Sequence, residues 1–382
     1  MIADRIRTSH TGSLPRPQPL INLLRMKDQG TLPIERESEL QTVVRESVFD
    51  IVKRQVDAGI DIVNDGEMGK IGYSTYVKDR LTGFAGTAPS QISVADVFDF
   101  PQFAEQRAAD LSVTFSMPAC DGPISYNDVE AAKRDLDNLR DALANVGKTP
   151  ADGFVTAASP GVISLFLPNT YYPTRQEYLA AIADAMRVEY ELIAEAGFTL
   201  QLDCPDLAMG RHIQFSTENL EAFRQHMIEN IEALNHAVAN IPAEQMRIHL
   251  CWGNYEGPHH HDVPLAEIID LVLTAKPAGL SFEAANPRHE HEWRVFAETA
   301  IPENKVLMPG VIDSCTNYIE HPELVSQRLQ RFADIVGPGR VIGATDCGLS
   351  TFAGMARVAP DVAWAKLESL AEGARMANLV AV

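Results

Sequence analysis

The sequence predicts an α/β fold, a (β/α)8 TIM barrel with a long insertion after the second strand. Three observations predict it. Short β-prone runs alternate with stretches of helical apolar spacing, eight such runs can be counted, and polar or metal-binding residues stand at the carboxyl ends of run after run. Alternation alone allows a parallel barrel or a doubly wound open sheet. Only a closed barrel brings strand ends from all around the ring to one mouth.

In chain order, the expected strands are Arg7–Thr11, Ile60–Asn64, Gly153–Ala157, Thr199–Asp203, Met246–Cys251, Gly279–Glu283, Val306–Val311 and Arg340–Ala344. Apart from the polar first run, they are rich in β-branched or aliphatic residues, as strands are. Between them, helical spacing covers Gln176–Ala196, Glu218–Asn240, Leu265–Lys276, Pro322–Val336 and Val362–Leu379. Ser216-Thr217-Glu218 reads as a helix start, and Gly59 and Gly197 each read as the stop directly before a strand. The rhythm breaks over approximately 81–147. That segment carries a β-like stretch, Leu111–Met117, and a charged helix, Asn127–Asn145, and is expected to be the insertion.

The 382 residues are expected to form one catalytic domain, since barrels with insertions fill this length as a single unit. A net charge of -20 disfavours nucleic acid and anionic membrane surfaces as partners. No apolar run approaches the roughly 20 residues that span a bilayer, and the first residues lack the apolar core of a secretory signal. The five cysteines (Cys120, Cys204, Cys251, Cys315, Cys347) are odd in number and scattered, a poor disulfide framework. Reduced thiols and a cytoplasmic location are the expectation. A homo-oligomer is compatible with it.

The strand-end residues are His10/Thr11, Asp65/Glu67, Asp203, His249/Cys251, Glu283, Asp313 and Asp346/Cys347. In a strand, residues i and i+2 point to one side, so His249 and Cys251 can face a single ion. Glu283 and Cys347 end two later strands. One nitrogen, two sulfurs and one carboxylate oxygen suit tetrahedral Zn²⁺. Two thiolates and a carboxylate leave such a site electron-rich, and zinc lets a bound thiol lose its proton near neutrality. The rival reading is a structural zinc in a barrel that binds a thiol without turnover.

These residues carry a resemblance. Ser9-His10-Thr11-Gly12-Ser13-Leu14-Pro15-Arg16-Pro17, the H-x-C of HLCWGNYEGPHHHD, SFEAAN, MPGVID and ATDCGL together resemble the cobalamin-independent methionine synthase superfamily. The similarity lies with its short single-barrel members, which include epoxyalkane:coenzyme M transferase. It implies that His249, Cys251, Glu283 and Cys347 hold zinc, with Glu283 yielding its place as the substrate thiol arrives. It also implies that the amino-acid portion of a homocysteine substrate meets Ser13, Glu67 and Asp203. The expected reaction is alkyl transfer, foremost methyl transfer, from a donor to a small thiol. The alternative is epoxide opening by the thiolate of coenzyme M.

Two departures bear on the donor. The histidine that follows PGV-x-D in the synthases is replaced by Ser314-Cys315, which leaves Asp313 as the candidate catalytic acid. The NWS-like aromatic stretch reads VTAASPGVISLF instead. WGNYEGPHHHD looks closer to the coenzyme M branch, where a sulfonate needs cations, with Arg16, Lys70, Arg211 and Arg288 as candidates. The triple histidine His259–His261 is expected to be a lid or a solvated turn, because three adjacent rings cannot easily reach one ion. Trp252, Tyr171 and Tyr172 are candidate pocket aromatics.

Overall fold

The computed structural model describes residues 2–89, 92, 94–111 and 115–380. Seven strands form one parallel sheet: β1 (Arg7–Thr8), β2 (Phe154–Ala158), β3 (Thr199–Asp203), β4 (Met246–His249), β5 (Gly279–Phe282), β6 (Val306–Ile312) and β7 (Ile342–Thr345). Their order is β1-β7-β6-β5-β4-β3-β2. Parallel neighbours need crossovers, and helices supply most of them, including Arg175–Glu195, Leu220–Ala237 and Pro322–Val336; the last helix, Pro360–Val380, follows β7.

Seven of the eight expected runs are strands, with ends shifted by a few residues. The run Ile60–Asn64 is instead reduced to a bridge, Val63 to Gly153. Its polar groups are satisfied partly by side chains. Asp61 Oδ2 accepts from Thr8 N at 2.9 Å, Thr8 Oγ1 accepts from Asp61 N at 3.1 Å, and Gln55 Oε1 accepts from Asn64 N at 2.9 Å. The segment still touches both edges of the sheet. Ile62 N donates to Thr8 O of β1 at 3.0 Å, and Phe154 N of β2 donates to Val63 O at 3.0 Å. The edges of the curled sheet are thereby linked.

The interior confirms that curl. Ile62, Phe154, Val306, Met308 and Ile342, from well-separated parts of the sheet, form a small apolar cluster of their own. Along the ladder above it, Gln201 pairs with Arg247, and then Asp203 with His249 and His249 with Ser281. Arg247 donates to Gln201 Oε1 at 2.7 Å, to Ser9 Oγ at 3.0 Å and to His10 O at 3.0 Å, and lies 3.6 Å over the Phe154 ring. Burial of this guanidinium lowers its pKa to about 9, against the raising effect of Asp203. The next inward position of β4 is His249, and the chain then leads to Cys251.

The helices follow the expected pattern with two corrections. Leu265–Lys276 is broken into a 3-10 turn, Leu265–Glu267, and a short helix, Ile269–Val272. The helix expected from Ser216 starts at Leu220, where Asn219 caps Ala222 N at 2.9 Å. Gly59 (φ 86°) and Gly197 (φ 87°) do end helices in the left-handed conformation that favours glycine. Leu111 ends a helix, Pro101–Leu111, rather than starting a strand; 112–114 lie outside the described residues, and 115–117 have no regular structure. The charged helix is Val129–Asn145, capped by Asp128. Among the described residues, no helix is long and apolar enough to cross a membrane.

Candidate active site and metal centre

The carboxyl ends of the strands open into a cavity of about 290 Å³. Its floor is polar, with Thr11, Ser13, Glu67, Asp203 and His249. Its walls are apolar, with Val97, Phe103, Phe166, Met209 and Phe352 prominent among them. Cys251 and Cys347 line it where the two zones meet.

His249, Cys251 and Cys347 each offer a ligand atom, and these atoms lie within 4.8 Å of one another. The two sulfurs are 3.6 Å apart, and all five cysteines are free thiols. His249 Nδ1 lies 3.2 Å from Ser281 Oγ, while the buried Nε2 has no partner. Burial, aided by the Arg247 charge, lowers the His249 pKa to about 3, so the imidazole is neutral with a lone pair to give. The Cys251 thiol is pushed up by its hydrogen bond with Cys347, by burial and by the nearby Cys347 and Glu283 charges. A divalent cation would reverse that last effect. An orphaned imidazole nitrogen beside two packed thiols is a donor set that fits a soft or borderline metal ion.

Glu283 sits beside this trio but outside the 4.8 Å group. Its Oε1 accepts from Trp252 N at 2.8 Å, and its Oε2 from Asn286 Nδ2 at 2.7 Å. Asp346 holds the turn behind it, accepting from Ala284 N at 2.8 Å, Ala285 N at 2.9 Å and Asn286 N at 2.9 Å. Asp346 packs so closely on Gly310 that a Cβ there would lie 2.3 Å from its Oδ1.

Glu67 is held in a left-handed conformation, φ 58°, which costs a non-glycine residue energy and is found where geometry matters. Its Oε1 accepts from Thr156 Oγ1 at 3.0 Å, and its buried Oε2 has no hydrogen-bond partner, with Arg16 Nη2 3.7 Å away. Burial raises the pKa of Glu67, with Lys70 and Arg16 opposing it. Burial and the neighbouring Glu67 charge push Asp203 up to about 8. Ser13 abuts Cys347's neighbour: its carbonyl accepts from Leu349 N at 2.9 Å, and a Cβ on Gly348 would lie 2.0 Å from its Oγ.

Asp313 does not line the cavity; it accepts from Cys315 N at 2.9 Å and from Thr316 Oγ1 at 2.5 Å. Of the four candidate cations, Arg16 is tied to Glu67 O and Ser350 O, Lys70 to Thr156, and Arg211 to Phe215 O; Arg288 also lies outside the cavity lining. Among the described lining residues, Arg357 is the one arginine or lysine. Trp252 is fully buried, with its indole N–H on Val263 O, Tyr171 is exposed, and Tyr172 binds Ile124 N; none lines the cavity. Tyr73, set between Phe166 and Phe352, escaped the sequence reading because it lies in irregular chain with no periodic signal.

The loop after β4 is fastened from behind. His289 stacks on Trp252 with centroids 4.1 Å apart, and its ring bridges Asp262 at 3.0 Å and Glu292 at 2.8 Å. His259, φ 53°, lies 2.9 Å from the same Asp262.

No family model matches the chain. A methionine synthase from Thermococcus kodakarensis is 25% identical over 347 residues, 90% of this chain and 86% of that one. A second, from Saccharolobus islandicus, is 22% identical over 371 residues, covering 97% and 94%. The solved structure of a B12-independent methionine synthase from Shewanella superposes with a TM-score of 0.71 at 22% identity, over 99% of this chain and 100% of that chain. Over nearly its whole length the chain is thus similar to methionine synthases, and it shares the fold of a B12-independent one. The chain spans nearly the full length of these relatives.

Proposed function

We propose that this protein is a zinc-dependent S-methyltransferase acting on a small amino-acid thiol such as homocysteine. The names of the relatives support thiol methylation. The observation that carries the substrate class is the floor of the cavity, where two carboxylates, Glu67 and Asp203, face the space that the His249–Cys251–Cys347 trio also lines. An ammonium group answers that charge. Its arrival lets both carboxylates ionise, which burial and mutual repulsion oppose in the free protein. Ser13 offers a hydroxyl for the carboxylate end of the same substrate.

His249, Cys251 and Cys347 would hold the ion, with Glu283 as the fourth ligand. When bound, zinc supplies the Lewis acidity that keeps a thiol deprotonated and nucleophilic near neutral pH. The residues of the chain do the rest. The floor orients the thiol, and the apolar walls exclude water and align the donor carbon for in-line attack. A coenzyme M acceptor would place a sulfonate in a cavity lined by three carboxylates, Glu67, Asp203 and Glu256, and one arginine, which the charges oppose.

In this reading residues 1–382 form one (β/α)8 barrel, with Ile62–Val63 as the second strand and approximately 81–147 inserted after it. Helix Val129–Asn145 packs on helices Glu37–Asp57 and Arg175–Glu195, as an outer-ring helix does. The chain before it covers the mouth and contributes Val94 and Val97 to the cavity. The test is a product screen. Homocysteine and coenzyme M are each incubated with methyl-folate or with a short epoxide, and products are read by mass spectrometry. Methionine is the expected product. No consumption of either thiol, or alkylation of coenzyme M alone, would overturn the proposal.

A further inference from the structure

Away from the cavity floor, a second set of metal-binding side chains converges on the outside of the cavity roof. We propose that Asp99, His260 and His261 form an outer divalent-cation site that clasps two segments of that roof together. The ligand atoms of the three residues lie within 4.8 Å of one another. His260 Nε2 is 2.8 Å and His261 Nε2 is 2.7 Å from the same oxygen, Asp99 Oδ2. The two rings are 4.2 Å apart at 36°, so adjacent residues, which in a strand would point apart, aim the same way.

The backbone is built for that aim. His259 takes φ 53°, a left-handed turn that swings the two following residues to one side. It is fixed there from three directions. Its N–H donates to Asp96 Oδ2 at 2.8 Å, its Nδ1 lies 2.9 Å from Asp262 Oδ2, and its Nε2 lies 2.8 Å from Tyr255 O. Asp96 Oδ2 also accepts from Tyr255 O–H at 2.6 Å. The helical turn Ala95–Phe98, which ends just before Asp99, and the loop after β4 are therefore locked in register beside the cluster. Only part of the triple histidine faces one place: His259 is spent on the scaffold, and His260 and His261 are left as ligands.

Two imidazoles and one carboxylate without sulfur suit zinc, nickel or cobalt. The residues are 34%, 44% and 52% exposed at their side chains, so water completes the coordination and the ion exchanges with solution. The net charge of -20 adds attraction. The two elements that meet here both line the cavity, Val94 and Val97 from one and Gly253, Asn254 and Tyr255 from the other. A cation at this place would brace the roof without touching the reacting groups.

The experiment is a Zn²⁺ titration of chelator-stripped full-length protein, read at equilibrium by calorimetry. Wild type is expected to bind two equivalents, the double variant His260→Ala/His261→Ala one, and Cys251→Ser one. Co²⁺ separates the sites by spectrum: the inner site gives a sulfur-to-metal charge-transfer band that the Cys251→Ser variant weakens, and the outer site gives none. Saturation of wild type at one equivalent with that band present, or two equivalents in the double-histidine variant, overturns the outer site. Loss of the sulfur band with one equivalent remaining would instead overturn the inner site. Far-ultraviolet circular dichroism of the surface variants checks that the fold is kept.

Discussion

The cavity is lined by both sulfur and carboxylate, and single substitutions separate the two. Cys251→Ser or Cys347→Ser removes a thiolate from a three-ligand cluster, and the inner zinc should fall from about one per chain to near zero by metal analysis. Glu67→Gln and Asp203→Asn leave the cluster intact and remove charge from the ammonium side. Each should cost about 1.5–3 kcal/mol of charge-assisted hydrogen bonding. The KM for homocysteine should then rise roughly 10- to 150-fold with a smaller change in kcat. Equal losses in kcat with unchanged KM would place these carboxylates elsewhere in the reaction. The meeting of His249 and Cys251 was legible because strand periodicity aims i and i+2 together, and that of Cys347 with them because it too ends a strand. Asp313 was misleading for a local reason: it follows β6 at the right end, yet its oxygens turn back on Cys315 and Thr316. Tyr73 and Asp99 belong to chain without periodicity, where residue type alone says nothing about direction.

Among elements, the turns after the strands carry Cys251, Glu283 and Cys347, and their supports can be tested without touching these side chains. A Cβ at Gly310 would strike Asp346, the residue that holds the Glu283 turn. Gly310→Ala should therefore destabilise the protein by about 1–3 kcal/mol, read by urea unfolding, and weaken metal retention with it. The loop after β4 depends on His289. Burial opposes its charge, but hydrogen bonds to Asp262 and Glu292, with the Glu283 and Glu292 charges, raise its pKa to about 10. A folded-state pKa above the unfolded value of about 6.5 gives stability that is full below that value and lost as pH rises through about 10. The difference in Tm between wild type and His289→Gln should thus be large at pH 6 and shrink on the alkaline side. A difference that grows with pH would reverse the assignment. The strands themselves were readable from sequence to within a few residues. The break inside Leu265–Lys276 was not, because its apolar spacing fits one helix and only the packed structure divides it.

For the molecule as a whole, the expectation of one domain has a direct measurement. Urea unfolding followed by far-ultraviolet circular dichroism and by tryptophan fluorescence should give one coincident transition. The two ends of the chain take part in it. Asn378, in the last helix, accepts from Ile6 N at 2.9 Å and donates to Ile6 O at 3.0 Å, so Asn378→Ala should lower the midpoint of both probes together. Seven strands of the curled sheet were legible, but the weakness of the eighth segment was not, since Ile60–Asn64 has the composition of a good strand. Between β1 and β2 the joint is laced by the side chains of Thr8, Asp61 and Gln55 more than by a backbone ladder. Such a seam resists shear less than its neighbours do, so amide protons of 62–64 should exchange with heavy water sooner than those of β3 and β4. If the wall of the cylinder ever parts, it parts there first, a few residues from Glu67 on the cavity floor.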